Sequence, residues 1–205
     1  MLDHGLGDVR PTARALEAAG AHVELTTDAR AAGDADGLVV AGAGALAAVL
    51  GRLREVRGDQ VVDRRLAGGR AVLGTGVGMH VLFDAVDEDG VRTEGLGEWP
   101  GVVEPVSGAA VGGWATVEPP EASVLFAGVE GERFWFEHTS AARRFPLTEG
   151  SAEERLAPPR VTWAEHGDRF VAAVENGPLS ATQFAPERSG DAGARLLTNW
   201  VRSLR

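Results

Sequence analysis

Apolar residues in the first half of the chain alternate between helical spacing and short, fully apolar runs. Leu16 lies three positions from both Ala13 and Ala19, which predicts a helix that ends at Gly20. Short apolar runs flanked by Gly or polar residues predict buried strands. Helices are expected over residues 10–19, 45–54, 61–66 and 77–85, and strands over residues 22–25, 37–40 and 71–73.

The pattern changes after Val91 to short strands that are broken by Gly and Pro, as in antiparallel hairpins. Strands are expected over residues 134–138, 160–163, 170–175 and 179–184, and a closing helix over 191–204. The pattern predicts one α/β domain over residues 1–205. Its central sheet should be mostly parallel and flanked by helices, with antiparallel strands in the second half. Met1 and Leu2 are too few for a full strand, so the first strand is expected to be truncated.

A glycine-rich turn follows the strand predicted at residues 71–73. Gly74, Gly76 and Gly78 allow a tight strand-to-helix turn that residues with a Cβ would resist. In many hydrolases such a turn carries a nucleophile at its centre, at the start of a helix. Here the central residue is Gly76, which has no nucleophilic atom.

Composition excludes several kinds of site. A net charge of −10 and a pI near 5.0 argue against nucleic acid or an anionic membrane as the partner. The chain has no cysteine, which excludes disulfides and thiolate ligands, and none of its five histidines form a pair with metal-ligand spacing. No metal or cofactor is expected. Without a targeting segment or a long apolar run, the cytoplasm is the expected location.

Motifs in the same order along nearly the whole chain resemble those of one enzyme family. They lie at residues 3–7 (D-H-G-L-G), 40–44 (V-A-G-A-G), 74–83, 94–97 (E-G-L-G), 113–114 (G-W), 134–138 (F-W-F-E-H) and 181–190. The chain resembles the glutaminase subunit of imidazole glycerol phosphate synthase, a class I glutamine amidotransferase. The resemblance implies the flavodoxin-like fold of that class.

The resemblance also implies a Cys-His-Glu triad, of which this chain keeps one member. Gly76 stands at the nucleophile position. The family pattern T-Q-F-H-P-E appears at residues 182–187 as T-Q-F-A-P-E, so Ala185 stands at the base position and Glu187 is retained. The hydroxyls of Thr75, Ser140 and Ser180 have no base that the sequence reveals. Glutaminase activity is therefore predicted to be absent.

Ligand-binding candidates surround these positions in the family pattern. The resemblance gives the loop at residues 41–44 backbone donors for an oxyanion, and it gives the position of His80 a substrate contact. If the helix over residues 77–85 forms, Asp84 could orient His80 from one turn further along. The candidates are Gly42, Gly44, Val77, His80, Glu88 (for a substrate amine) and His138, for which packing in an aromatic core is the main alternative.

Gly113 and Trp114 match the family segment that faces the synthase barrel. The leading hypothesis is a catalytically inactive glutaminase-like subunit that binds a (β/α)₈ cyclase-like partner as a heterodimer. One alternative is an enzyme that uses the same cleft on a substrate other than glutamine, with His80, His138 and Glu187. A further alternative is the nominal glutaminase subunit of histidine biosynthesis.

Overall fold

The protein, described by a computed structural model over residues 1–88, 90–106, 111–148 and 158–204, alternates helices and strands. In chain order the elements are α1 (Arg10–Ala18), α2 (Ala29–Asp34), β1 (Leu38–Val40), α3 (Leu46–Glu55), α4 (Gly58–Ala67), β2 (Val72–Thr75), α5 (Val77–His80), β3 (Phe83–Glu88), β4 (Val91–Glu94), β5 (Trp99–Pro105), β6 (Val111–Glu118), β7 (Arg133–His138), β8 (Ser140–Ala141), β9 (Arg160–His166), β10 (Asp168–Asn176), β11 (Leu179–Thr182) and α6 (Gly190–Ser203). Short 3₁₀ turns span Pro146–Thr148 and Pro186–Arg188.

The larger sheet has the strand order β1-β2-β11-β10-β9-β6-β7. Strands β1, β2 and β11 pair in parallel, and every pair from β11 to β7 is antiparallel. The sheet is therefore mixed rather than mostly parallel, within the α/β class that the sequence predicts. A smaller sheet has the order β4-β3-β5-β8.

Two apolar cores fill the space between the larger sheet and the elements that pack on its two faces. One holds side chains of α1 and α6 together with aromatic residues, among them Phe134 of β7, Phe126 before it and Phe184 just after β11. The other holds side chains of α3, α4 and the smaller sheet against β1 and β2. Helices therefore cover both faces of the larger sheet. Among the described helices, none combines the length and apolar character that a bilayer span requires.

The prediction of a helix over residues 77–85 is wrong beyond the first turn. Helix α5 ends at His80, and strand β3 begins at Phe83. The Phe83 ring packs edge-on against Trp99 at 5.6 Å and against Phe145 at 6.1 Å, centroid to centroid. These long-range contacts, together with pairing of β3 to β4 and β5, override the local helical spacing.

The strand predicted over residues 22–25 is also not formed. An isolated parallel bridge between Leu2 and Thr26 is the pairing found there. The Leu2 N–H donates to the carbonyl of Val39 (3.1 Å), and the Asp3 N–H donates to that of Thr26 (2.9 Å). Met1 to Asp3 thus lies beside β1, but offers residues 22–25 too short a partner for a ladder.

A buried arginine ties α4 to the segments that lead into β1 and β2. Arg65 is 1% exposed. Its guanidinium donates to five backbone carbonyls, those of Ala32 (3.3 Å), Gly33 (3.0 Å), Ala35 (2.7 Å), Asp36 (3.0 Å) and Ala71 (2.9 Å). Buried carbonyls need such donors, because each unpaired one costs about 1–3 kcal/mol.

The variant Arg65→Ala should therefore lower the free energy of unfolding by about 3–5 kcal/mol, because it leaves several buried carbonyls without a donor. Urea denaturation followed by circular dichroism measures this change. The neighbouring Arg64→Ala is the matched control: Arg64 is exposed on the same helix, and its loss should cost less than about 0.5 kcal/mol. Equal losses in the two variants would contradict this account of Arg65.

Candidate functional site

The turn at Gly76 has the backbone of a nucleophile turn. Gly76 has φ +56° and ψ −119°, a conformation that L-residues with a side chain adopt only with strain. Its N–H donates to the carbonyl of Thr182 at the end of β11 (2.8 Å), which anchors the turn. A Cβ built on Gly76 would meet no atom within 4 Å, so the position opens into free space.

The two flanking glycines allow the backbone to pack closely. A Cβ on Gly74 would lie 2.5 Å from the carbonyl oxygen of Gly78. A Cβ on Gly78 would lie 2.0 Å from the carbonyl oxygen of Val40, the last residue of β1. Since real Cβ atoms do not approach oxygen so closely, both positions require glycine if the end of β1 and the turn are to touch.

The loop after β1 is held by His4, a residue that sequence reasoning did not single out. Nε2 of the buried His4 donates to the carbonyl of Ala41 at 2.8 Å. A Cβ on Gly42 would lie 2.6 Å from the His4 ring. Because Gly42 has no side chain, the His4 imidazole can pack against the loop. The requirement for glycine at this position could not be deduced from the sequence alone.

One cleft of about 730 Å³ gathers the catalytic and ligand-binding positions predicted from the sequence. Its wall includes Gly42, Gly44, Gly76, Val77, His80, Glu88, His138, Ala185 and Glu187. The loop after β1 and the turn after β2 bring them together, because parallel strands end at one edge of a sheet. The wall also contains the carboxylates of Asp8 and Glu137 and a single guanidinium, that of Arg188.

His80 is oriented by Gln183 and not by Asp84. Nε2 of His80 donates to Oε1 of Gln183 at 2.8 Å. Asp84 lies on β3, where its Oδ2 accepts the N–H of Gly101 (3.1 Å). Burial lowers the pKa of His80 and the bond to Gln183 opposes that shift, so burial favours the neutral imidazole.

His138 ends β7 with its ring against Phe136 and Phe170, at centroid distances of 5.8 and 4.9 Å. This is the aromatic packing expected of it, and it also lines the cleft. Both ring nitrogens are buried, and neither has a partner among the described residues. Burial, and to a smaller degree the charges of His80 and His166, lowers the pKa of His138 to about 3.

Ala185 and Glu187 lie on the segment that follows β11. The Ala185 backbone is fixed at both ends: its N–H donates to the Trp135 carbonyl (3.2 Å), and its carbonyl accepts from the Ser189 hydroxyl (2.8 Å). Oε2 of Glu187 is buried and has no partner among the described residues.

Glu88 has a structural partner. It lies at the end of β3. Its Oε2 accepts the N–H of Leu46 at 2.9 Å and so satisfies the first turn of α3, which has no side-chain cap of its own. This oxygen is occupied, which weakens the expectation that Glu88 holds a substrate amine.

Gly113 and Trp114 lie outside the cleft on β6. Trp114 is 44% exposed, and its ring packs edge-on against Trp135 at 5.9 Å. The guanidinium of Arg188 lies 5.1 Å from the Trp135 ring centre and pairs with Glu137. The exposed aromatic surface therefore continues to the mouth of the cleft.

The cleft contains no pair of groups suited to nucleophilic attack. Thr75 and Ser140 contribute hydroxyls to the wall, but no imidazole within the described ranges is hydrogen-bonded to a hydroxyl. Ser180 lies instead in the wall of a separate cavity. The same described residues contain no group of three His, Asp or Glu side chains that could hold a metal ion.

The neutral state of His138 predicts a pH dependence of stability. An imidazole in the unfolded chain has a pKa of about 6.5. Between pH 6.5 and pH 3, His138 is therefore protonated to a greater extent in the unfolded chain than in the folded protein. The free energy of unfolding should fall as the pH falls from 6.5 towards 3, with a loss of about 2 kcal/mol from this residue at pH 5. His138→Leu should remove this loss in urea denaturation at pH 7 and pH 5.

The control for this measurement is His22→Leu, since His22 is exposed. It should leave the difference between the two pH values within about 0.5 kcal/mol of the parent. Equal acid sensitivity of His138→Leu and the parent would contradict the assignment.

Comparison with known proteins gives close relatives. The chain is 58% identical over 206 residues to "Imidazole glycerol phosphate synthase subunit HisH" of Leifsonia xyli subsp. xyli, covering 100% of this chain and 97% of the relative. It is 56% identical to the HisH subunit of Nocardia farcinica and 53% identical to that of Streptomyces coelicolor, covering 97% and 92% of those proteins and all of this chain. No protein-family model matches the chain.

Solved structures agree with the fold. A glutamine amidotransferase superposes with a TM-score of 0.73 at 21% identity, covering 99% of this chain and 97% of that one. The glutaminase domain of Trypanosoma brucei CTPS with bound acivicin superposes with a TM-score of 0.65 at 14% identity, covering 96% and 87%. The fold is that of the glutamine amidotransferases, and the full-length identity to the HisH proteins shows that this chain belongs to the family of the HisH subunit of imidazole glycerol phosphate synthase.

Proposed function

We propose that this chain is the glutaminase-type subunit of an imidazole glycerol phosphate synthase assembly, and that it acts there as a non-catalytic partner. The names of its relatives support the first part, because a synthase subunit in histidine biosynthesis implies a second subunit. The observation that carries the second part is the turn at Gly76, which keeps the nucleophile backbone without a nucleophile.

The chemistry of amide hydrolysis explains why this loss matters. A nucleophile must attack the carboxamide carbon, and a base must move its proton to the leaving ammonia. Glycine offers no attacking atom at position 76, and alanine offers no proton acceptor at position 185. The retained Glu187 would orient a base but cannot replace it.

Trp114 supports a docking role for the β6–β7 face. An exposed tryptophan stacked on a second aromatic ring is the type of side chain that dominates binding energy at interfaces. The pair formed by Arg188 and Glu137 gives this surface a polar border at the cleft mouth. The proposed partner is a (β/α)₈ cyclase-like subunit that would draw on free ammonia.

The purified protein should release no detectable ammonia from glutamine, alone or with its partner. Removing a nucleophile costs about 10⁶-fold in a well-studied serine protease. The double change Gly76→Cys with Ala185→His should restore partial activity: the Cβ meets no clash, but the backbone strain costs about 1–3 kcal/mol. A coupled glutamate assay measures both proteins.

Gly76→Cys alone is the matched control and should stay inactive, because it lacks the base. If the unmodified protein hydrolyses glutamine and the Glu187→Ala variant does so at the same rate, the reaction takes place at another site. That result would overturn the proposal.

The protein should co-elute in size-exclusion chromatography with the (β/α)₈ synthase subunit of its own organism and should change that subunit's ammonia-dependent rate. Trp114→Ala should weaken the complex about tenfold or more, as for an aromatic anchor at an interface centre. Leu25→Ala, at an equally exposed apolar residue far from β6, should leave binding unchanged.

A second candidate is an enzyme that uses the cleft on another substrate. The buried, unpartnered atoms of His138 and Glu187 favour it, because a ligand could satisfy them. The chromatography separates the two proposals. Absence of a complex, with no effect on the synthase rate, would overturn the subunit role and leave the repurposed enzyme.

A further inference from the structure

A second cavity, of about 390 Å³, lies between α2, α4 and the segment before β2. Arginine side chains dominate its wall. They are Arg30, Arg57, Arg64, Arg65 and Arg70, five of the 20 basic residues of the chain. Asp34 is the one carboxylate among the lining residues. The cavity is therefore cationic, in a protein whose net charge is −10.

The contacts within the wall leave most of this charge unneutralised. Arg70 donates to the backbone carbonyls of Asp34 (2.7 Å) and Ala35 (2.9 Å), and Arg57 donates to the side-chain amide of Gln60 (3.2 Å). Carbonyls and amides satisfy donors but carry no charge. Asp34 forms an ion pair with Arg30 at 3.7 Å, where both side chains are largely exposed.

Arg64 gives the cavity free donor capacity, whereas Arg65 contributes charge beneath its wall. Across the described residues, the side chain of Arg64 has no hydrogen bond or ion pair, and it is exposed at the cavity wall. Arg65 is 1% exposed, and its Nε is buried with no partner among the residues that the structure describes. Burial, and then the charge of Arg70, lowers the pKa of Arg65, while Asp36 raises it. The charge of Arg70 therefore disfavours the charged form of Arg65.

The position of this cavity separates it from the cleft at Gly76. Arg65 donates to the carbonyls of Asp36 and Ala71, which lie just before β1 and β2 in the chain. The cleft is built from residues that follow those strands. The two cavities thus lie at opposite ends of the same strands, and they differ in charge, because carboxylates outnumber guanidinium groups among the residues that line the cleft.

We propose that the arginine-lined cavity binds a small phosphorylated molecule with several negative charges. Guanidinium groups match phosphate oxygens with paired N–H donors, and several of them around one concave surface suit a polyanion. The volume lies in the range of small-ligand sites, about 300–1,000 Å³. Nucleic acid is a poor fit, because the rest of the surface is acidic. This proposal does not depend on the function proposed above.

Isothermal titration calorimetry with inorganic pyrophosphate, at constant ionic strength, tests the proposal. Pyrophosphate should bind saturably at one site, and Arg64→Ala should weaken binding about tenfold or more through loss of a charge-assisted contact. The fold should be unaffected, since Arg64 makes no contact that the structure depends on. Arg57→Gln, which removes the charge but keeps a polar side chain, should weaken binding in the same direction.

Arg14→Ala is the matched control: it removes the same charge from an exposed helical position on α1, outside this cavity. It should change the dissociation constant less than about twofold, as a distant exposed charge is screened by salt. Absence of saturable binding, or equal weakening by Arg14→Ala and Arg64→Ala, would overturn the proposal. Tighter binding of citrate than of pyrophosphate would assign a carboxylate ligand and overturn the phosphate class.

Discussion

The close approach of Gly78 to the end of β1 sets the geometry on which the rest of the cleft depends. The turn after β2 can touch the Val40 carbonyl only because no Cβ stands between them. This contact places Gly76 beside the loop that follows β1, and His4 holds that loop from the other side through the Ala41 carbonyl. The turn, loop and imidazole form one backbone scaffold, and the substituent at position 76 takes no part in it.

Sequence patterns predicted the parts of the fold that local chemistry specifies. The glycine spacing at residues 74–78 identified the turn, because few other arrangements require three glycines after a buried apolar run. Strands β7 and β11 followed from alternating or short apolar runs bounded by turn residues. Strand β3 could not be predicted, since its residues have helical spacing and become a strand through long-range contacts: pairing with β4 and β5, and packing against the rings of Trp99 and Phe145.

The grouping of the site could be predicted from chain order, but its hydrogen bonds could not. Motifs that follow parallel strands must meet at one sheet edge, which is why the family positions collect in one cleft. The bond between His80 and Gln183 spans 103 positions of sequence and depends on the register of β11, where Thr182 lies opposite Thr75. Asp84 was the local partner available to sequence reasoning, and the change from helix to strand moved it away.

The scaffold of this cleft is stabilised independently of the chemistry it would support in a glutaminase. Gly76 is fixed by its own N–H, and Ala185 by its backbone bonds to Trp135 and Ser189. A thiol or imidazole at these positions would project into the cleft, so its loss removes no contact that holds the fold. His138 and Glu187 keep buried polar atoms that have no partner in the described part of the chain, and their desolvation opposes folding. A partner or ligand that covers the cleft and supplies those atoms with hydrogen bonds would relieve this cost, so binding at this face and stability of the chain are thermodynamically linked.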